Sequence, residues 1–176
     1  MKLEQQIINS EIVSSDIFLS DFNQLSGNTQ KQIVEQCHYI KNQNKSIAAL
    51  IYLCFVYSRV ENFKNISYAI KLCEEIMSLD DTNIEIMYYL GTLNLIEYNL
   101  NKALYWYEKA AEKGNVDAML NLGYLYENEW VIKDDFQALA WFKQTADAGH
   151  LCAIEHLKEK SSVLMSSIDE FIINSV

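Results

Sequence analysis

Apolar residues recur along this chain at spacings of three and four, the period of one buried face on an α-helix. Ile17, Phe18, Phe22 and Leu25 form such a face between about Ser15 and Leu25, and Gly27-Asn28 would stop that helix. Ile33, Val34, Cys37 and Ile40 form the next, from Thr29 to about Lys41, where Thr29-x-x-Gln32 suits a capping box. The same period predicts helices at 46–60, 65–79, 83–97, 100–113, 116–128, 134–147 and 150–160. A last segment restarts with a second capping box, Ser167-x-x-Glu170, and Ile168, Phe171 and Ile172 would close the end of the stack. The β-branched residues are dispersed and do not alternate, so no strand competes.

Within this pattern one unit is written twice. Ala103, Trp106, Ala111, Gly114 and Ala118 recur 35 residues later as Ala138, Trp141, Ala146, Gly149 and Ala153. A fixed period of this size marks stacked repeats. Leu90-Gly91 and Leu122-Gly123 sit early on a first helix, where a residue without a side chain admits close approach. Ala103 and Ala138 supply small surface on the second helix. Trp106 with Tyr107, and Trp141 with Phe142, would fill the layer between units. Gly114 and Gly149 stand where a left-handed residue ends a helix. Each unit is helix, turn, helix, glycine stop, and stacked neighbours build the core that one hairpin cannot.

The second unit resembles the Sel-one-like repeat (SLR) family, related to the tetratricopeptide repeats, in Leu122-Gly123 with Tyr126, Ala138 with Trp141, and Ala146 with Gly149 and Ala153. The first has the shorter tetratricopeptide spacing, 12 residues from Gly91 to Ala103 against 15 from Gly123 to Ala138, then the SLR ending AAEKGNVDA. A fainter unit lies upstream: Ala69 precedes Ala103 by 34 residues, and SLDDTN resembles the inter-repeat turn, with Asp81 in place of the usual proline. The inter-helix loop ENEWVIKDD carries Trp130 near the family's glycine. The resemblance covers roughly residues 50–157. It implies a right-handed α-solenoid of helix-turn-helix repeats, and a family of protein-interaction adaptors and regulators without catalytic residues. The expected division is an N-terminal helical cap or degenerate repeat over 1–46, repeats over 47–160 and a C-terminal capping helix over 161–176, in one domain overall.

Composition narrows the class. Half of the 176 residues are hydrophobic, which supports a folded core. The longest apolar run, Ile47 to Tyr57, has eleven residues and is too short to span a bilayer. MKLEQQIINSEI lacks a signal-peptide core, which predicts a cytoplasmic chain. Proline is absent, so helix ends must come from glycine, asparagine and aspartate. Net charge is −10; residues 1–60 balance at five acids and five bases, and residues 61–176 hold nineteen acids against nine bases. With Arg59 as its one arginine, the chain is a poor match for phosphate backbones, and no nucleic-acid or membrane partner is expected. Its field suits a basic protein partner, although such acidity also serves solubility alone.

Candidate chemistry is sparse. Cys152, Glu155 and His156 share one helical turn, and Cys152 and His156 at i, i+4 could be metal ligands, but no second cluster completes a site. Cys54, Cys73 and Cys152 read as small buried hydrophobes, and disulfides are not expected. Glu74-Glu75, Asp80-Asp81 and Asp134-Asp135 read as solvated pairs or helix starts. No catalytic residue, metal site or cofactor is expected. The concave face of a tetratricopeptide-like stack is the better site. Register with each Leu-Gly places Glu85, Tyr88 and Thr92 there from one unit, and Asp117, Leu120, Tyr124, Glu127 and Asn128 from the next. Glu155 and Glu159 follow on the final helix. It is an acidic surface whose Tyr88 and Tyr124 are either anchors or packing residues. Trp130 is either a loop anchor or folded back on its loop. The expectation is a non-catalytic cytoplasmic protein of inhibitor or immunity type that masks a basic toxin or effector, in part by analogy with SLR proteins. The alternative is an adaptor holding several partners.

Overall fold

With no proline to start helices, side-chain caps take that role. Ser46 Oγ accepts from the Ala49 N–H at 3.4 Å, Asn65 from Tyr68 at 3.0 Å, Asn83 from Ile86 at 3.1 Å and Asn115 from Ala118 at 2.8 Å. Asp134 accepts from both Phe136 and Gln137, at 3.0 and 3.1 Å. Each cap satisfies a donor that the first helical turn leaves without a partner. The structure, a computed structural model, describes residues 22–44, 46–129 and 131–174. Its helices are α1 (Gly27–Asn44), α2 (Ile47–Arg59), α3 (Ile66–Leu79), α4 (Ile84–Ile96), α5 (Leu100–Glu112), α6 (Val116–Asn128), α7 (Asp135–Asp147) and α8 (Leu151–Asn174), with a 3₁₀ turn at Glu61–Phe63. Among the described residues no strand occurs. The contacts divide the chain into two compact units, up to Ala103 and from Leu104 onward, a division that falls inside α5.

In the first unit α1 packs on α2, α2 on α3 and α3 on α4. Ile33, Val34 and Cys37 bury the stripe expected of α1. Its start differs. Ser26 caps it, accepting from the Thr29 N–H at 3.3 Å, so Gly27-Asn28 opens this helix and does not close the one before. Of the helix expected at 15–25, Phe22–Gln24 are helical, Leu25 already bends away from the helix, and residues 15–21 lie outside the described residues. The α3–α4 turn is held by Asp80 Oδ1, which accepts from the Thr82 N–H at 3.0 Å and its hydroxyl at 2.7 Å. α4 is apolar nearly all round; its buried Asn94 donates to the Leu90 carbonyl at 2.8 Å.

In the second unit α6 packs on α7 and α7 on α8. Gly114 and Gly149 are left-handed, at φ +92° and +86°, as a glycine stop requires. The N–H of Gly114 reaches the Ala111 carbonyl and that of Asn115 the Ala110 carbonyl, both at 2.9 Å, and Gly149 and His150 repeat this pairing on Ala146 and Thr145. Tyr98, in the α4–α5 turn of the first unit, makes the same pairing on Leu95 at φ 58°, without being glycine. Ala103, Ala138, Ala118 and Ala153 are buried, as the period of 35 implies. The tryptophans are not the main filling. Tyr107 and Phe142 are fully buried, while Trp106 and Trp141 keep partial exposure. Phe142 lies over Gly123, where an added Cβ would come 2.9 Å from the ring. The last two expected helices are one: α8 continues through Ser161 and Ser162, whose hydroxyls turn back to backbone carbonyls at 2.8 Å, so no break precedes Ser167. Cys152 is exposed on α8, unlike buried Cys54 and Cys73.

Candidate functional site

In the second unit the first helix of the repeat, α6, lies beside α8, and polar side chains bridge them. Asp117 Oδ1 is 3.4 Å from His150 Nε2 at one end. Toward the other, Glu127 projects between His156 and Lys160. His156 Nε2 is 3.1 and 3.2 Å from the two carboxylate oxygens, and the Lys160 ammonium contacts Glu127 as well. The His156 ring is set between aromatics: Phe142 at 4.3 Å between ring centroids and Tyr124 at 5.5 Å, nearly edge-on. Tyr124 also meets Phe142 edge-on at 5.1 Å.

The electrostatics follow from that enclosure. The Glu127 side chain keeps 11% of its exposure. Burial alone would raise its carboxyl, but the Lys160 and His156 hydrogen bonds and their nearby charge outweigh that and hold it below the ordinary carboxylate value. Tyr124 is pushed up, first by burial and then by Cys152, Glu127 and Glu159. Glu127 is thus an internal clamp between α6 and α8 more than a free surface acid.

The other expected site residues fall in two places. In the second unit Asp117, Tyr124 and Asn128 are exposed on α6, and Glu155 and Glu159 are exposed on α8. Asn128 donates to the Tyr124 carbonyl at 3.0 Å. In the first unit Glu85, Tyr88 and Thr92 follow one face of α4. Glu85 is exposed, Tyr88 and Thr92 are half-buried, and the Thr92 hydroxyl donates to the Tyr88 carbonyl at 3.3 Å. Trp130 lies outside the described residues. His150, His156 and Lys160 were not among the expected site residues. The sequence drew His156 toward Cys152 at i, i+4, and folding gives it Glu127, 29 residues away. Phe136 and Leu139 on α7, 88% and 54% exposed, with Val131 before it, are a further surface that was not expected.

Among the described residues no group of three or more His, Cys, Asp or Glu side chains could hold a metal ion, and no helix is long and apolar enough to cross a membrane. The Sel1 repeat family matches residues 86–115 and 116–150. No curated protein sequence matches the chain. Among solved structures, the Sel1 repeat protein from Oxalobacter formigenes superposes with a TM-score of 0.50 at 20% identity, over 84% of this chain and 65% of that one. The present chain thus spans just under two thirds of that protein's length. The MamA protein superposes with a TM-score of 0.61 at 18% identity, over 95% of this chain and 89% of its own. At these identities the likeness is one of fold. Residues 86–150 are therefore two tandem Sel1 repeats, carried in an all-α chain with the tetratricopeptide-like solenoid fold.

Proposed function

We propose that this chain is a non-catalytic protein-interaction scaffold and that its acidic repeat surface binds a basic protein. Sel1 and tetratricopeptide-like repeats suggest such a scaffold. The observation that carries the reading is the placement of exposed Asp117, Tyr124, Asn128, Glu155 and Glu159 on neighbouring helices of one unit. That unit, from Leu104 onward, holds twelve acids against six bases, so its field attracts cations. Glu127 supports the surface from within by tying α6 to α8. Glu85, Tyr88 and Thr92 on α4 would form a second contact set. Within this reading the chain acts as an inhibitor or immunity-type protein that covers a basic toxin or effector. Affinity capture at rising salt tests it. A single stoichiometric basic partner, released at high salt and silenced in its own activity assay by the added chain, supports the inhibitor role.

A second reading has its own observation. Phe136 and Leu139 form an exposed apolar surface on α7, chemically unlike the acid-bearing faces of α6 and α8. Two dissimilar surfaces suit an adaptor with more than one partner. Several partners, of which some persist at high salt, would favour that role over the inhibitor.

A further inference from the structure

Two buried thiols in the first unit face each other across a helix pair. Cys54 on α2 and Cys73 on α3 are 1% and 0% exposed, and their sulfurs are 3.3 Å apart. The Cys73 thiol donates toward the Cys54 sulfur, and the Cys54 thiol toward the Ala69 carbonyl at 3.6 Å. α2 and α3 pack directly on each other. A disulfide needs its sulfurs at about 2.05 Å, so the two sulfurs must approach by roughly an ångström for the bond to form. Burying a thiol as a small hydrophobe requires no second sulfur beside it, and here the two are in contact.

We propose that Cys54 and Cys73 are a redox-modification site, which an oxidant of the hydroperoxide class converts into a disulfide that pins α2 to α3. One sulfur, as its thiolate, attacks the peroxide. The O–O bond breaks, the sulfur becomes a sulfenic acid, and one water leaves. The second sulfur attacks that sulfenic sulfur, the S–S bond forms and a second water leaves. Two S–H bonds are lost, and the two electrons from sulfur reduce hydrogen peroxide to two waters. Burial holds the Cys54 thiol far above its ordinary value, so attack is slow in the closed unit and proceeds through brief opening of the α2–α3 pair. On reclosure the sulfurs are already opposed. The resulting bond closes the stretch of chain that contains the α2–α3 connection and restricts the unfolded state.

The test uses the full chain, oxidised with hydrogen peroxide under native conditions and in urea, then alkylated and mapped after trypsin. Cleavage at Arg59, Lys64 and Lys71 separates the two cysteines in sequence. The expected result is a monomer lighter by two hydrogens, with a Cys54–Cys73 linked peptide formed in the native sample and absent from Cys54→Ser and Cys73→Ser. Its Tm should rise by about 5 °C or more on oxidation. The proposal is overturned if Cys54 and Cys73 are still alkylated after prolonged exposure that has oxidised Cys152, or if the linked peptide forms in urea alone. Should either serine variant fail to fold, the wild-type map decides the question by itself.

Discussion

His156 Nε2 stands 3.1 Å from Glu127 Oε2 and joins two helices that are far apart in sequence. The pair is mostly buried, so removing one partner leaves the other without compensation. Glu127→Ala should destabilise the second unit by about 1–3 kcal/mol, and His156→Ala by a similar amount. Lys160→Ala should cost less, because its side chain is 56% exposed and its charge is screened. All three tryptophans follow Leu104, so urea unfolding read by tryptophan fluorescence reports this unit. Equal midpoints for wild type and Glu127→Ala would mean that the clamp contributes nothing.

The same carboxylate makes stability depend on pH in a defined direction. Its folded value lies below the ordinary 4.5, because Lys160 and His156 favour the charged form over the opposing effect of burial. Above 4.5 the folded and unfolded states are both ionised and the full contribution is present. As pH falls below 4.5 the unfolded state takes up the proton first, and stability drops until the folded carboxyl is protonated too. Glu127→Gln should therefore flatten the acid limb of a plot of urea midpoint against pH. Parallel curves for the two proteins would show that Glu127 is not the group involved.

Glycine 123 should tolerate no side chain. A Cβ there meets Phe142 Cε1 at 2.9 Å, and Phe142 is 2% exposed and confined by Tyr124 and His156. Gly123→Ala is expected to cost about 1–3 kcal/mol through displacement of that ring. Gly27→Ala is the control, since nothing lies within 4 Å of its added carbon. Thermal unfolding of the two variants should differ by several degrees, and coincident melts would contradict the packing described.

Tyr98 occupies a left-handed position at φ 58° with its side chain 95% exposed. It holds the helix-ending place that Gly114 and Gly149 hold elsewhere, without their freedom. Tyr98→Gly should stabilise the chain by about 1 kcal/mol, because the strain goes and little packing is lost. A lowered melting temperature would show that the tyrosine makes a contact worth more than its strain.

How much of this was legible beforehand depended on the range of the interaction. Helix spacing, the period of 35 residues, and the stops at Gly114 and Gly149 are local or repeated signals, and the structure bears them out. Side-chain contacts across the fold were less legible. Gly123 announced a close approach, but not that the Phe142 ring would fill it while Trp141 stayed partly exposed. Glu127 looked like one acid among several on a face, and only the arrival of α8 brings His156 and Lys160 to it. The helix expected to end at residue 160 does not, because the Ser161 and Ser162 hydroxyls bond back to their own helix and α8 runs on. Tyr98 carried no glycine to announce its turn.

The most direct test of the central claim is binding after charge reversal on α8. Glu155→Lys with Glu159→Lys changes exposed side chains and leaves the Glu127 clamp intact. Titration calorimetry of the captured basic partner against wild type and this double variant, at low and high salt, isolates the surface. The account predicts at least a tenfold loss of affinity at low salt that narrows as salt rises. Unchanged affinity at both salt concentrations, with an unchanged melting temperature, would contradict the acidic repeat surface as the binding site.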